Sequence, residues 1–412
     1  HQAGRAQDCP EREFFSDGGG HDGVPFASGA LTPLGHPQTL RTSLMMKIVI
    51  IQDHLRVGGT ERQSLFLAKT FREKGHESTV LTFRPGGHLC DERHLEGVHL
   101  EALQPFDSKV SFWAPRLRKR IEALSPDVIL CMGRTANSYA GYIQNAYPSI
   151  PVVGTLRTGK LVFPLHHWSM GKVRAVIVNS NWWKRRLLER NFPESRIHVA
   201  HNSLLLDRSE EEHDVRREAQ RLRYGVDDDT SVFLNVSTFR PGKRHMHLLR
   251  IFARLREAQP ELKWRLWLVG DGKEYRRCKH WAAENGLGTR VRFFHFQHDP
   301  YPFYAGADVA VSVSREDSLP NFLIEAQATS LPVIAYDCRG VEETCIPGET
   351  GIVLPPEDAD QFLNNLVEFA RNPEKRARFA AKAPTFVQER FSRIPQAEST
   401  LSFLEEIAAY QA

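Results

Sequence analysis

The stretch VSREDSLPNFLIEAQATSLPVIAYD, Val313 to Asp337, contains the pattern that decides the fold. An apolar, β-branched run, Val309–Val313, leads into a short polar loop and then into a helical pattern that Pro320 opens. Proline suits the first turn of a helix because the missing amide hydrogen is not needed there. A second apolar run, Val333–Tyr336, follows. Strand, helix and strand in this order predict a parallel β-α-β unit.

The same alternation recurs along the chain in two sets. Predicted strands of the first set are Ile48–Gln52, Thr79–Phe83, Val128–Met132, Val152–Leu156 and Val176–Asn179, with a helix at Thr60–Lys74. Those of the second set are Val232–Val236, Trp264–Val269, Val291–Phe296, Val309–Val313, Val333–Tyr336 and Ile352–Leu354. We therefore predict an α/β protein with two doubly wound, Rossmann-like parallel-sheet domains that face each other across a cleft.

Length and composition suggest where the domains begin and end. A chain of 412 residues has about the length of two ordinary domains. Residues 1–45 are rich in Gly, Pro and His and lack periodicity, which predicts a disordered leader, a non-native extension before a start at Met45 or Met46. We expect a first domain over residues 46–205 and a second over residues 206–394. A last helix, about residues 395–412, is expected to pack back on the first domain.

The composition excludes several classes of protein. Hydrophobic residues make up 41% of the chain and charged residues 25%, as in globular proteins. No apolar run approaches the ~20 residues that a membrane-spanning helix needs. The six cysteines form no CxxC pair, which indicates reduced thiols and a cytoplasmic protein. A net charge of +4 is too small to indicate a nucleic-acid partner.

Two glycine- and cation-containing loops follow predicted strands. Gly58 and Gly59 precede a helix that Thr60 opens, with Gln63 completing a capping box. They could let a ligand phosphate reach the helix start, or form a tight turn without a ligand. Arg240 and Lys243, in the segment FRPGK, could hold a diphosphate or form a solvated basic turn.

Two further strand ends carry acidic residues. Gly270 and Asp271 end a buried strand, where a tight turn without a ligand is a serious alternative. In the opening stretch, Asp317 lies in the loop and Glu325 about a turn and a half into the helix, so both can face the volume above the sheet. The unpaired amides of that helix start, residues 318–322, point there too. Alternatively, Asp317 complements the helix dipole and Glu325 is a solvated face residue.

Together these motifs resemble the retaining family 4 of GT-B glycosyltransferases, also described as glycosyl transferases group 1. The segments that carry the resemblance are VGGTERQ, FRPGK, VGDG, DSLPNFLIEAQATSLPVIA and PGETGIVLPPEDADQF, in this order from about Lys47 to the end. The resemblance implies that Glu325 holds the ribose of a nucleotide-sugar and that Arg240 and Lys243 balance its diphosphate. Further donor-binding residues that it implies are Gly58, Gly59, Gly270, Asp271, Asp317, Ser318, Leu319, Pro320, Asn321 and Phe322.

The chain departs from the family pattern at several positions. Asp317 stands where relatives have Glu, with Glu316 beside it as a substitute, so both remain catalytic candidates. Thr238 stands where relatives have Arg, and we expect Arg240 to supply that charge. Arg157 replaces a frequent His; with Arg134 it is an acceptor-side candidate.

The resemblance implies a hexosyltransferase that uses a nucleoside-diphosphate sugar, with UDP favoured and neither metal nor other cofactor required. The expected acceptor is a glycan or lipid-linked glycan of lipopolysaccharide, capsule or exopolysaccharide synthesis. Retention is expected through front-face attack, with Asp317 or Glu316 as a covalent nucleophile in a minority alternative. Two competing hypotheses are a sugar-nucleotide epimerase of the same fold and a catalytically inactive binding subunit.

Two segments of the first domain mix tryptophan with clustered Arg and Lys. They read FWAPRLRKRIEAL and SNWWKRRLLERN. Such faces could rest on an anionic membrane at the cytoplasmic leaflet, near a lipid-linked acceptor. Alternatively, their aromatic side chains pack inward and only the basic residues meet solvent.

Overall fold

The computed structural model describes residues 45–56, 58–91, 95–157, 164–206 and 213–409. The predicted leader lies outside these ranges except for Met45, as do the last three residues of the predicted C-terminal helix. Described strands are β1 (Lys47–Gln52), β2 (Glu77–Thr82), β3 (His99–Ala102), β4 (Val128–Cys131), β5 (Val152–Leu156), β6 (Ala175–Val178), β7 (Ile197–Val199), β8 (Ser231–Val236), β9 (Trp264–Val269), β10 (Val291–Phe294), β11 (Val309–Ser312), β12 (Val333–Tyr336) and β13 (Gly351–Leu354).

These strands form two parallel sheets. Their orders are β3-β2-β1-β4-β5-β6-β7 and β10-β9-β8-β11-β12-β13. In each sheet the first strand, β1 or β8, lies in the interior, so the strand order reverses beside it and leaves a crevice at the carboxyl ends. The prediction of two Rossmann-like sheets is confirmed. Two edge strands, β3 and β7, were not predicted.

Helices cover both faces of each sheet. They are α1 (Gly59–Glu73), α2 (Leu117–Leu124), α3 (Arg134–Ala146), α4 (Pro164–Lys172), α5 (Asn181–Leu188), α6 (His213–Arg223), α7 (His245–Ala258), α8 (Tyr275–Glu284), α9 (Tyr301–Gly306), α10 (Asn321–Ala328), α11 (Ala359–Arg371), α12 (Pro373–Phe391) and α13 (Arg393–Ala409). In β1, Ile48 and Ile50 enter one hydrophobic cluster while Val49 and Ile51 enter another. Burial on both faces explains the continuous apolar runs of the central strands.

The last helix, α13, lies against the first sheet rather than the second. Its Phe403 and Leu404 share a hydrophobic cluster with Ile48 and Ile50 of β1. The chain crosses between the sheets near residue 204 and again near residue 392, and the two crossings are joined by a hydrogen bond of 2.8 Å from the Leu204 amide to the Phe391 carbonyl. None of the described helices is long and apolar enough to span a membrane.

Candidate active site

A cavity of about 510 Å³ lies between the two sheets, at the carboxyl ends of their central strands. Residues from both sheets line it, and every site residue predicted from the sequence is among them. They are Gly58, Gly59, Arg134, Arg157, Arg240, Lys243, Gly270, Asp271, Glu316, Asp317, Ser318, Leu319, Pro320, Asn321, Phe322 and Glu325. The fold therefore gathers residues that are up to 267 positions apart in the chain (325 minus 58).

The basic loop after β8 pairs with the acidic loop after β11. Lys243 Nζ lies 2.7 and 2.6 Å from the two carboxylate oxygens of Asp317. Arg240 Nη1 donates to Glu316 Oε2 at 3.2 Å. Arg240 Nη2 also lies 4.0 Å from Asp317 Oδ1. A ligand diphosphate would have to compete with these carboxylates for both cations.

The two adjacent acids differ in their environment. The side chain of Asp317 is 11% exposed and that of Glu316 is 33% exposed. Burial alone would raise the pKa of Asp317, but the charge and hydrogen bonds of Lys243, with Ser314 and Arg240, hold the pKa below its usual value. Asp317 is therefore a carboxylate across the neutral pH range.

Glycine at position 242 allows the acidic loop to lie close to the basic one. A Cβ atom on Gly242 would lie 2.1 Å from Cδ of Glu316. The Gly242 carbonyl also accepts a hydrogen bond of 2.9 Å from the Arg315 amide. The close approach places Glu316 beside Arg240.

Glu325 lies in α10 and is only 6% exposed, so it is not a solvated face residue. Its Oε2 accepts a hydrogen bond of 2.7 Å from the hydroxyl of buried Tyr304. Its Oε1 lies 3.4 Å from Nη1 of Arg62, which comes from α1 in the opposite domain. Burial and the neighbouring Glu325 raise the pKa of Tyr304 well above its usual value, so the phenol remains a donor.

The start of α10 contacts the first domain. Nδ2 of Asn202 donates to Asn321 Oδ1 at 2.7 Å and to the Leu319 carbonyl at 3.1 Å. A Cβ on Gly59 would lie 2.7 Å from Asn321 Nδ2, so the starts of α1 and α10 approach closely. Residue Ser318 donates to Asn179 Oδ1 at 3.1 Å. These contacts hold the acidic loop against the first domain.

The predicted capping box at the start of α1 is wrong. The helix begins at Gly59, and the cap residue is Gly58, which has no side chain to accept a hydrogen bond from the first amides. Gln63, the expected reciprocal partner of Thr60, instead exchanges two hydrogen bonds with the backbone of Ser203, at 2.6 and 3.1 Å. Tertiary contact with the crossing segment therefore replaces the local cap.

The strand end at Gly270 is a turn that requires glycine. Gly270 has φ +142°, and a Cβ there would lie 2.3 Å from the Ser237 carbonyl oxygen. Asp271 accepts hydrogen bonds from His295 Nδ1 at 2.5 Å and from the Phe296 amide at 2.8 Å. Asp271 thus joins two strand-end loops at the rim of the cavity.

On the wall formed by the first domain, Arg157 and His166 stand out. Arg157 donates to Asn202 Oδ1 at 3.0 Å, and it has no carboxylate partner in the described part of the chain. Burial lowers the pKa of Arg157 to about 10. His166, which the sequence analysis missed, is 3% exposed, and its Nε2 has no hydrogen-bond partner among the described residues. Burial, with nearby Arg134, lowers the pKa of His166 to about 4, so it is neutral at pH 7.

A second missed residue, Asp53, shapes the same wall. It follows β1 directly and accepts hydrogen bonds from the amides of Thr135 at 3.0 Å and Ala136 at 2.9 Å. Asp53 therefore caps α3, which starts with Arg134 at the cavity. Its position directly after a buried strand was a signal that could have identified it.

Two facing Rossmann-like sheets with a shared cleft define the GT-B fold. The solved structure of HepE from Anabaena in complex with UDP-glucose aligns with a TM-score of 0.74 over 88% of this chain and 100% of that one, at 20% identity. Sucrose-phosphate synthase from Thermosynechococcus elongatus aligns with a TM-score of 0.74, covering 88% and 99%, at 19% identity. At these identities the two structures establish the fold alone.

Sequence comparisons identify the family. The family described as glycosyl transferases group 1 matches residues 216–386, and the one described as glycosyltransferase family 4 matches residues 57–208. The lipopolysaccharide core biosynthesis glycosyltransferase LpsE of Rhizobium meliloti (strain 1021) is 28% identical over 359 residues, which are 84% of this chain and 96% of that protein. The chain belongs to the group 1 glycosyltransferases with the GT-B fold, and it is a transferase enzyme.

Proposed function

We propose that this enzyme transfers a sugar, with retention of anomeric configuration, from a UDP-sugar to a lipid-linked glycan of the cell envelope. The observation that carries the proposal is the cavity in which Lys243 and Arg240 face Asp317 and Glu316, beside the buried carboxylate of Glu325. The similarity to a lipopolysaccharide core enzyme supports a lipopolysaccharide acceptor. The fold shared with a UDP-glucose complex supports a UDP-sugar donor.

Each proposed role follows from charge and position. Breaking the bond between the sugar and the diphosphate leaves negative charge on the phosphates, which Lys243 and Arg240 can balance without a metal ion. Glu325, held by Tyr304, would accept hydrogen bonds from the ribose hydroxyls. We assign the first acidic position of the family motif to Asp317 because it is the more buried acid and pairs with Lys243.

The proposed course of the reaction needs no enzyme nucleophile. The acceptor hydroxyl attacks from the side on which the diphosphate leaves, and a departing phosphate oxygen takes the acceptor proton. The new glycosidic bond forms as the bond to the diphosphate breaks, so UDP is the second product. A lipid-linked acceptor would place the enzyme at the cytoplasmic face of the membrane.

A panel of UDP-, GDP- and ADP-sugars tests this function. We expect one donor to raise the melting temperature and to be slowly hydrolysed, also in excess EDTA, with UDP released. Lys243→Ala should lower the rate about 10²- to 10³-fold. Lys263→Ala is the control, because that lysine pairs with Asp229 on the surface. Turnover without nucleotide release would indicate an epimerase. If no nucleotide-sugar raises the melting temperature or is hydrolysed, the proposal is wrong.

A further inference from the structure

Large apolar side chains are exposed together on one side of the first domain. Phe106, Val110, Phe112 and Trp113 belong to the segment between β3 and α2, Tyr142 belongs to α3, and Trp168 belongs to α4. Each of these six is at least 38% exposed, and we call them the apolar face. Single exposed apolar residues are common, but a contiguous group of them marks an interaction surface.

Direct contacts show that the apolar face is continuous. The rings of Phe106 and Trp113 have centroids 5.8 Å apart. Tyr139 of α3 donates a hydrogen bond of 2.5 Å to the Phe112 carbonyl, and its ring lies 6.5 Å from that of Tyr142. The loop is therefore seated on α3.

The continuity extends from α3 to α4. The Gly141 amide donates to Ser169 Oγ at 2.6 Å, and a Cβ on Gly141 would lie 2.7 Å from the Ser169 Cα. Tyr142 and Trp168 are the immediate chain neighbours of these two contact residues. The helices that carry Tyr142 and Trp168 therefore pack directly against each other.

Basic residues accompany the apolar face. Lys109, Arg116, Arg118 and Lys119 are exposed in the same segment or at the start of α2. Of the nearby acids, Asp107 is paired with Arg84 and with Lys109, each at 2.6 Å, and Glu122 of α2 lies beside Arg118. Counted with Arg84, five cations face these two acids. Aromatic side chains with an excess of cations match the interface of an anionic lipid bilayer, where rings enter the headgroup region and cations meet lipid phosphates.

The second predicted membrane segment does not contribute to this surface. Trp183 is buried, and Trp182 lies under the guanidinium of Arg339 from the second domain, 5.8 Å from the ring centroid. The Trp182 amide also donates to Glu343 at 3.0 Å. In this segment the tryptophan side chains pack inward, so they are not available to contact a membrane.

We propose that the apolar face and its cations dock the enzyme on an anionic lipid membrane. The helices that carry the face also reach the cavity, through Arg134 and Asn137 of α3 and His166 of α4. Docking would therefore bring the acceptor-side wall close to the bilayer surface. The benefit of docking for catalysis rests on the proposed function, because it requires an acceptor held in the membrane.

Co-sedimentation with vesicles tests the proposal. We expect the full chain to pellet with phosphatidylglycerol–phosphatidylcholine vesicles at low salt, less at high salt, and little with pure phosphatidylcholine. Phe112→Ser/Trp113→Ser should abolish pelleting, and Lys119→Gln should weaken binding about five-fold. Val215→Ser/Leu222→Ser is the matched control, because these two residues are also exposed but lie on α6 of the second domain.

Two measurements keep the outcome decisive. Melting temperatures show that each variant is folded, and hydrolysis of a water-soluble donor is expected to be unchanged in Phe112→Ser/Trp113→Ser. Failure of docking with intact hydrolysis would overturn only the membrane proposal. Equal pelleting of Phe112→Ser/Trp113→Ser and of the α6 control would also overturn the membrane proposal. Binding to neutral vesicles alone would do the same. So would association of the apolar face with a protein and not with lipid.

Discussion

Arg157 is a half-buried arginine at the cavity, and its positive charge is left without a carboxylate in the part of the chain that the structure describes. Its hydrogen bond to Asn202 satisfies one donor but adds no negative charge. Even a partly buried charge without a counter-charge destabilises the folded protein. Such a residue is understandable if a substrate supplies the missing negative charge when it binds.

Replacing Arg157 by Gln should therefore separate stability from activity. We expect an unchanged or higher melting temperature without ligand, and kcat/KM lowered about thirty-fold or more. Arg196→Gln is the control: that guanidinium donates at 2.9 Å to the Arg174 carbonyl in a structural role, so its loss should lower the melting temperature. If Arg157→Gln destabilises the protein as much as Arg196→Gln and keeps its activity, the role in substrate binding is wrong.

The choice between Asp317 and Glu316 is also decided at the residue scale. Asp317→Asn removes the charge that faces Lys243 in the cavity, and we expect activity to fall about a hundred-fold. Glu316→Gln removes a more exposed partner of Arg240, and we expect a fall of about five-fold or less. Steady-state kinetics on both variants, with circular dichroism to verify folding, would give the order. The reverse order would assign the first acidic position to Glu316.

At the scale of elements, a carboxylate of the second domain caps a helix of the first. Glu343 Oε2 accepts hydrogen bonds of 2.9 Å from both the amide and the side chain of Asn181, and Oε1 accepts one of 3.0 Å from the Trp182 amide. These amides are unpaired donors at the start of α5. Burial would raise the pKa of Glu343, but its bonds to His201 and to the two amides lower it.

The capping contact should make the stability depend on acidity. A carboxyl group whose pKa is lower in the folded protein stabilises it above the unfolded pKa, near 4.5, and this contribution disappears as the pH falls through the lower folded value. Glu343→Gln should cost about 1–3 kcal/mol at pH 7, and the difference from the parent should shrink below pH 4. Thermal unfolding from pH 7 to 3 measures it. Exposed Glu342→Gln is the control, and equal losses in both variants would contradict the capping role.

How far the sequence predicts the elements depends on burial. Central strands such as β8 and β12 are continuous apolar runs, and their boundaries were predicted within about two residues. The edge strands β3, HLEA, and β7, IHV, are half-exposed and short, so their sequences carry no periodic signal. Their strand form depends on pairing with β2 and β6, which lies outside any local pattern.

For the site, the sequence predicts which residues line the cavity better than it predicts which side chains contact each other. Strand-end loops of a parallel sheet meet at one edge, so the gathering of Lys243, Asp317 and Glu325 follows from the fold. The contact of Arg62 with Glu325 depends on how the two domains face each other. No periodic pattern encodes that orientation, and buried His166 was missed because it follows no predicted strand directly.

The whole molecule is tied together by the return of α13 to the first sheet. Leu404 is fully buried in the cluster that contains β1 and α1 residues. Leu404→Ala should cost about 2–5 kcal/mol of stability because it leaves a cavity there. Ile394→Ala is the control on the same helix, because Ile394 is exposed. Denaturant unfolding measures both, and equal stabilities would show that α13 adds little to this domain.

The return of α13 also determines the order in which the two domains can complete their folding during synthesis. The first domain begins at β1, but its hydrophobic cluster includes Phe403 and Leu404, which are synthesised only after the entire second domain. During translation the second domain can close its own core first, while the first waits with part of its apolar surface uncovered. A stalled or truncated chain would expose that surface, so chaperone capture and proteolysis should concentrate on products that end before residue 397.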